Sequence, residues 1–134
     1  MRFLGIATTV LVTSVAGIAF HATPSAVGQA PAACVREVNV VAERYEFHPD
    51  RIEVAQGDHV KITVRSADGT HGFAIKGLGI RAQVPRGGDP ITVEFDARKP
   101  GSFEIACFEY CGTGHRQMKA TLVVTPRSGD AGRD

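Results

Sequence analysis

The stretch HVKITVRSADGTHGFAIK, residues 59–76, alternates apolar and polar side chains on both sides of the short segment ADG. Val60, Ile62 and Val64 recur every second residue, and after the glycine so do Phe73 and Ile75. A period of two puts one row of side chains on a buried face and the other in solvent, which is a strand signature; a helical face would need apolar residues three and four apart. The same alternation appears on either side of this stretch. Val38, Val40 and Ala42 carry it upstream, followed by Ile52 and Val54. Downstream it passes through Val93 and Phe95, Phe103 and Ile105, and then Ala120, Leu122 and Val124. HPD (48–50), QGD (56–58), PRGGDP (85–90) and KPG (99–101) separate the runs with turn formers. The pattern predicts an all-β domain, a two-sheet antiparallel sandwich or small barrel with Greek-key connections, and shows no internal repeat.

Composition bounds the rest. A chain of 134 residues with 43% hydrophobic content has room for a single core. Fifteen Lys and Arg against fourteen Asp and Glu leave no basic run that could neutralise a row of phosphates, so nucleic acid is not expected as a partner. The first twenty residues differ in kind: residues 3–20 are uncharged and mainly apolar, which reads as a signal peptide or a single membrane anchor. Ala30, Pro31 and Ala32 offer small residues for cleavage, and the AAC ending at Cys34 resembles a lipid-attachment site except that Pro31 stands where an aliphatic residue is usual. Either reading places the domain outside the cytoplasm, on the outer (periplasmic) face of the cytoplasmic membrane if residues 3–20 are kept or in the periplasm if they are removed. The expected organisation is a signal or anchor plus linker at 1–33, the β domain at 34–126 and a flexible tail at 127–134.

The chemistry concentrates in one loop. Phe103, Ile105 and Cys107 share a strand face, so Cys107 alone would read as a small core residue. Cys107, Cys111, His115 and Met118 nevertheless fall within twelve residues, with Gly112 and Gly114 between them to let the backbone turn tightly. His71 stands at the start of its strand, where loops at one end of a sandwich can bring it to the same place. Two thiolates, two imidazoles and a thioether form a soft set that suits copper. Zinc on a Cys2His2 set and a disulfide closing the short 107–111 loop stay open, although neither uses Met118. His48 and His59 are expected in turns, as surface residues.

At these residues the chain resembles a known family. CFEYCGTGHRQM (107–118) is similar to the binuclear copper A motif C-x-E-x-C-x-x-x-H-x-x-M of cytochrome c oxidase subunit II, found also in nitrous-oxide reductase. ADGTHGFAI (67–75) is similar to the segment that supplies the other histidine of that site. FHPDRIEVAQGDHVKITV and RKPGSFEIACFEYCGTGH resemble the compact subunit II of B-type haem-copper oxidases, so the resemblance spans roughly Tyr45 to Val124. It implies a cupredoxin-like Greek-key β-sandwich with two copper ions per chain. Cys107 and Cys111 would bridge them, His71 and Met118 would complete one copper, and His115 with the backbone carbonyl of Glu109 the other. It also implies that the Glu109 carboxylate reaches a magnesium ion at the border with subunit I.

The implied role is electron entry, not bond-making: electrons from cytochrome c or a small copper protein pass to subunit I through a non-catalytic subunit. Two coppers sharing one hole against two thiolates would cycle between roughly plus one and zero charge, a small change that disturbs the surroundings little. The chain has no Trp, although subunit II proteins use an aromatic region including tryptophan as the entry point, and Tyr45, Phe47 and Phe108 are the candidates to replace it. Two alternatives to an oxidase subunit remain. One is a free-standing periplasmic carrier, binuclear or with mononuclear blue copper at His71, Cys111, His115 and Met118. The other is a copper chaperone for oxidase assembly.

Overall fold

The computed structural model describes residues 34–127. The expected anchor or signal at 3–20, the linker to residue 33 and the tail beyond Arg127 lie outside the described residues. Those residues form nine strands: β1 (Val35–Glu43), β2 (Glu46–His48), β3 (Arg51–Ala55), β4 (His59–Ser66), β5 (His71–Ile75), β6 (Ile80–Val84), β7 (Ile91–Asp96), β8 (Gly101–Ala106) and β9 (Lys119–Thr125). No helix long and apolar enough to cross a membrane occurs among them.

Two sheets, ordered β2-β1-β4-β7 and β3-β9-β8-β5-β6, close over one core. Alternation does what the sequence promised: Val60, Ile62 and Val64 of β4 are buried between half-exposed neighbours, and Ala120, Leu122 and Val124 of β9 do the same. Phe47 of the first sheet meets Phe73 of the second edge to face, ring centroids 5.6 Å apart, so these rings join the layers two residues from His71.

The pairing is not antiparallel throughout. β1 runs parallel to β4, from Val35 opposite His59 to Ala42 opposite Ser66, and β3 runs parallel to β9. The chain leaves the first sheet after β2 to form β3 in the second, then returns with β4 pointing the same way as β1. Periodicity encodes which face of a strand is buried but not which strand lies beside it. Two strands were also unforeseen, the three-residue β2 and the edge strand β6. His48 ends β2 and His59 opens β4, so neither lies in a turn, although both are surface residues. Arg127 belongs to the folded domain and not the tail: its guanidinium donates to the Gln56 carbonyl at 2.8 Å and pairs with the buried Asp58 carboxylate.

Truncating Phe73 to Ala removes the ring that joins the sheets and is expected to lower stability by about 3–5 kcal/mol, read as a shift in urea unfolding. His59 ties β4 to β7 through Asp96 (Nδ1 to Oδ1, 2.9 Å) and Glu94 (Nε2 to Oε2, 3.4 Å), and these hydrogen bonds, Asp96 first, raise its pKa above the ordinary value. A raised folded pKa means stability that is complete below the unfolded pKa and lost as pH climbs through the folded one. The gap in unfolding midpoint between the wild type and His59→Gln should therefore be wider at about pH 5.5 than at about pH 8.5.

Candidate metal centre

Three loops meet at one end of the sandwich. The loop after β8 is closed at its base where the Cys107 amide donates to the Met118 carbonyl (3.1 Å), one step beyond the Ala106–Lys119 pair of the ladder. Within it, His115 N–H donates to Gly112 O (3.1 Å), Gln117 N–H to Gly114 O (3.0 Å) and Met118 N–H to His115 O (3.3 Å), so consecutive turns carry the backbone from Gly112 back to Met118. Gly112 has φ +136°, and a Cβ there would strike the Tyr45 ring, as would one at Gly114. Tyr45, in the hairpin between β1 and β2, is thus a buttress laid flat along the ligand loop. Gly72 has the same function from below: a Cβ on it would lie 2.6 Å from the Phe108 ring and 2.7 Å from the Glu109 amide nitrogen.

These contacts bring the expected residues together. Ligand atoms of His71, Cys107 and Cys111 all lie within 4.8 Å of one another, and all three residues are buried. The two sulfurs are 3.7 Å apart, and both cysteines are free. Met118 is fully buried with its sulfur 3.9 Å from Cys111 Sγ, while the Glu109 carbonyl accepts from Cys107 Sγ at 3.2 Å. The Gly72 amide donates to Cys107 Sγ at 3.4 Å. His115 stands outside the 4.8 Å group and is half-buried. Burial first, and then the adjacent Cys107 sulfur, push the Cys111 thiol up to about 11, so metal uptake at neutral pH must expel its proton.

Two nitrogens test whether a metal fits. The buried side-chain N and O atoms that lack a hydrogen-bond partner among the described residues are His71 Nδ1 and His115 Nδ1. Buried polar atoms are nearly always paired, so an unpaired nitrogen on His71, whose ring offers a ligand atom within 4.8 Å of two thiols, fits a soft cation, and His115 offers a second unpaired nitrogen outside that group. A surface cleft lined by Arg44, Tyr45, Thr70, Tyr110, Cys111, Gly112 and Thr113 gives a route to it.

Residues that the sequence reading missed complete the site. Asp68 Oδ1 sits 2.7 Å from His71 Nε2, and its other oxygen accepts the Arg44 amide at 3.0 Å. Burial works against the Asp68 carboxylate, but these hydrogen bonds, that of His71 foremost, outweigh it and hold the carboxyl below its usual range. Arg44 Nε in turn donates to the Cys111 carbonyl at 2.8 Å, so one residue links all three loops. The signal was present as an acid three residues before a histidine in a turn, but such pairs are common. Tyr110, 73% exposed, meets the His115 ring edge on at 5.4 Å and is the aromatic at the surface of the site. Of the candidates named to replace tryptophan, Phe47 is in the core, and Phe108 lies under the Arg81 guanidinium, 3.7 Å from the ring centre.

Comparison with known proteins agrees with this arrangement. A family described as cupredoxin-like domain matches residues 10–124. Cytochrome c oxidase subunit 2 of Thermus thermophilus is 38% identical over 87 residues, covering 65% of this chain and 64% of the relative, so the chain spans just under two thirds of that protein's length. Among solved structures, a chain of a haem-copper terminal oxidase dimer superposes with a TM-score of 0.57 at 26% identity, covering 66% of this chain and 64% of that one. The periplasmic domain of subunit II of cytochrome oxidase from Bradyrhizobium japonicum superposes with a TM-score of 0.61 at 18% identity, over 68% and 84%, a likeness of fold.

Gly72→Ala drives a methyl group into Phe108 and the Glu109 amide, and is expected to cost about 1–3 kcal/mol by overpacking. Copper competition against a chelator should show weaker binding as well, because the ligand loop has to lift.

Proposed function

The chain belongs to the cupredoxin-like domain family, and from that premise we propose that it houses a binuclear copper A centre and serves as the electron-entry subunit II of a haem-copper cytochrome c oxidase. The observation that supports this reading above all is the buried group of His71, Cys107 and Cys111, whose ligand atoms lie within 4.8 Å of one another, together with the imidazole nitrogens His71 Nδ1 and His115 Nδ1 that have no hydrogen-bond partner among the described residues. In this reading Cys107 and Cys111 bridge the metals, His71 and Met118 serve one, and His115 with the Glu109 carbonyl serves the other. Bound copper supplies a one-electron couple. The protein's part is to hold donors in fixed places, to which the β8–β9 ladder, the Gly72 amide and the Tyr45 ring each contribute a contact.

The two imidazoles differ in access. His71 is 0% exposed, whereas His115 is half-buried and covered by Tyr110. Electrons from cytochrome c or a small copper protein are therefore expected to enter on the His115 and Tyr110 side. Similarity to oxidase subunit II proteins supports subunit I as the acceptor and the outer face of the membrane as the location; in this reading the Glu109 carboxylate would meet a magnesium ion at the subunit border. A mononuclear blue-copper carrier using His71, Cys111, His115 and Met118 would leave Cys107 idle, whereas a chaperone would hold exchangeable copper that a chelator removes easily. The Cys107 sulfur, inside the 4.8 Å group and hydrogen-bonded by Gly72, favours the binuclear reading.

Copper loading followed by metal analysis should give two coppers per chain, and Cys107→Ser should hold no more than one. If that variant keeps both, Cys107 is not a bridge and the reading is wrong. Tyr110→Ala should leave the copper count unchanged but weaken productive docking of an electron donor by up to roughly tenfold, the scale of one aromatic contact, as measured by stopped-flow reduction.

A further inference from the structure

His71 and His115 present the same bare atom but are held in different ways. A neutral imidazole carries its proton on one nitrogen and a lone pair on the other, and the hydrogen bond made by one nitrogen decides which is which. His71 Nε2 faces Asp68 Oδ1 at 2.7 Å. An ionised carboxylate can only accept, so Nε2 must donate and Nδ1, buried and without a hydrogen-bond partner among the described residues, is left as the lone pair of the histidine grouped with the two thiols. No carboxylate hydrogen-bonds His115 among the described residues; its ring rests on Tyr110.

Asp68 is itself fixed from several directions. The Arg44 amide donates to Oδ2 at 3.0 Å. Ser66 Oγ accepts the Asp68 amide at 3.3 Å and the Gly69 amide at 3.1 Å, which locks the turn that carries the carboxylate. A Cβ on the buried Gly69 would lie 2.9 Å from the Arg44 guanidinium, and that same guanidinium binds the Cys111 carbonyl at 2.8 Å. The carboxylate orienting His71 is thereby tied, through one arginine, to the loop carrying Cys111.

We propose that Asp68 is the positioning residue of the centre: it holds His71 as the tautomer protonated on Nε2, so that Nδ1 is ready as a metal donor before any metal arrives. The metal half of this inference rests on the copper reading above; the tautomer half does not.

Proton–nitrogen correlation spectra of the histidine rings, recorded on the metal-free full-length chain, test the tautomer, and copper competition against a chelator tests its consequence. The wild type should carry its His71 proton on Nε2. Asp68→Ala should lose the single fixed tautomer and bind copper about 10–100-fold more weakly, the usual cost of removing such an outer partner. Asp68→Asn keeps one accepting oxygen where Asp68 uses two, for His71 and for the Arg44 amide, so it should no longer hold a single His71 tautomer and should bind copper more weakly than the wild type. A wild-type His71 proton on Nδ1 overturns the proposal, and so does an Asp68→Ala protein with tautomer and copper affinity unchanged. If Asp68→Ala does not fold, the wild-type and Asp68→Asn spectra decide the question. A wild type with the expected tautomer and no copper affinity would uphold the positioning role and sink the copper reading instead.

Discussion

His71 Nδ1 and His115 Nδ1 are buried without a hydrogen-bond partner among the described residues, and each such atom costs a fold on the order of 1–3 kcal/mol. His71 carries that cost in a group with two thiols only 3.7 Å apart, one of which has its ionisation pushed up to about 11. Removing water from lone pairs and sulfurs without giving them partners is unfavourable by itself. It becomes favourable once a soft cation enters, because every one of these groups is a donor to copper. Much of what surrounds the site, from the position of the glycines to the arginine linking three loops, holds this unfavourable arrangement in place until then.

The sandwich supplies the rigidity. Cys107 continues the phase of β8, His71 opens β5, and those strands pair directly in one sheet, with Ala74 opposite Ala106. Cys107 and the buried imidazole are therefore anchored to a single sheet whose inner face is packed against the other. The Phe47–Phe73 contact joins the layers two residues from His71. On the open side the hairpin between β1 and β2 contributes Arg44 and Tyr45, which come from the other sheet, so both layers are needed to shape the ligand loop.

The alternation of Val60, Ile62 and Val64, and of Leu122 and Val124, made the all-β fold legible, because a half-buried strand has no other way to satisfy its two faces. Soft ligands clustered between Cys107 and Met118 made the metal chemistry legible too, since that side-chain set has few other uses. The parallel pairing of β1 with β4 was not legible: it depends on the chain's path between sheets, which no local pattern records. Edge strand β6 escaped because Ile80, Ala82 and Val84 follow glycine-rich turns that mask a short alternation. Asp68, Arg44 and Tyr110 escaped for a different reason, as they act through neighbours that are distant in sequence or by exposure at the rim, and their residue types are ordinary in loops.

The central claim, that the adjacent sulfurs of Cys107 and Cys111 are bridges between two metals, is tested most directly by electron paramagnetic resonance of the copper-loaded chain in its oxidised form. The account predicts hyperfine structure from a single unpaired electron shared equally by two copper nuclei. Hyperfine structure from one copper nucleus alone would contradict it.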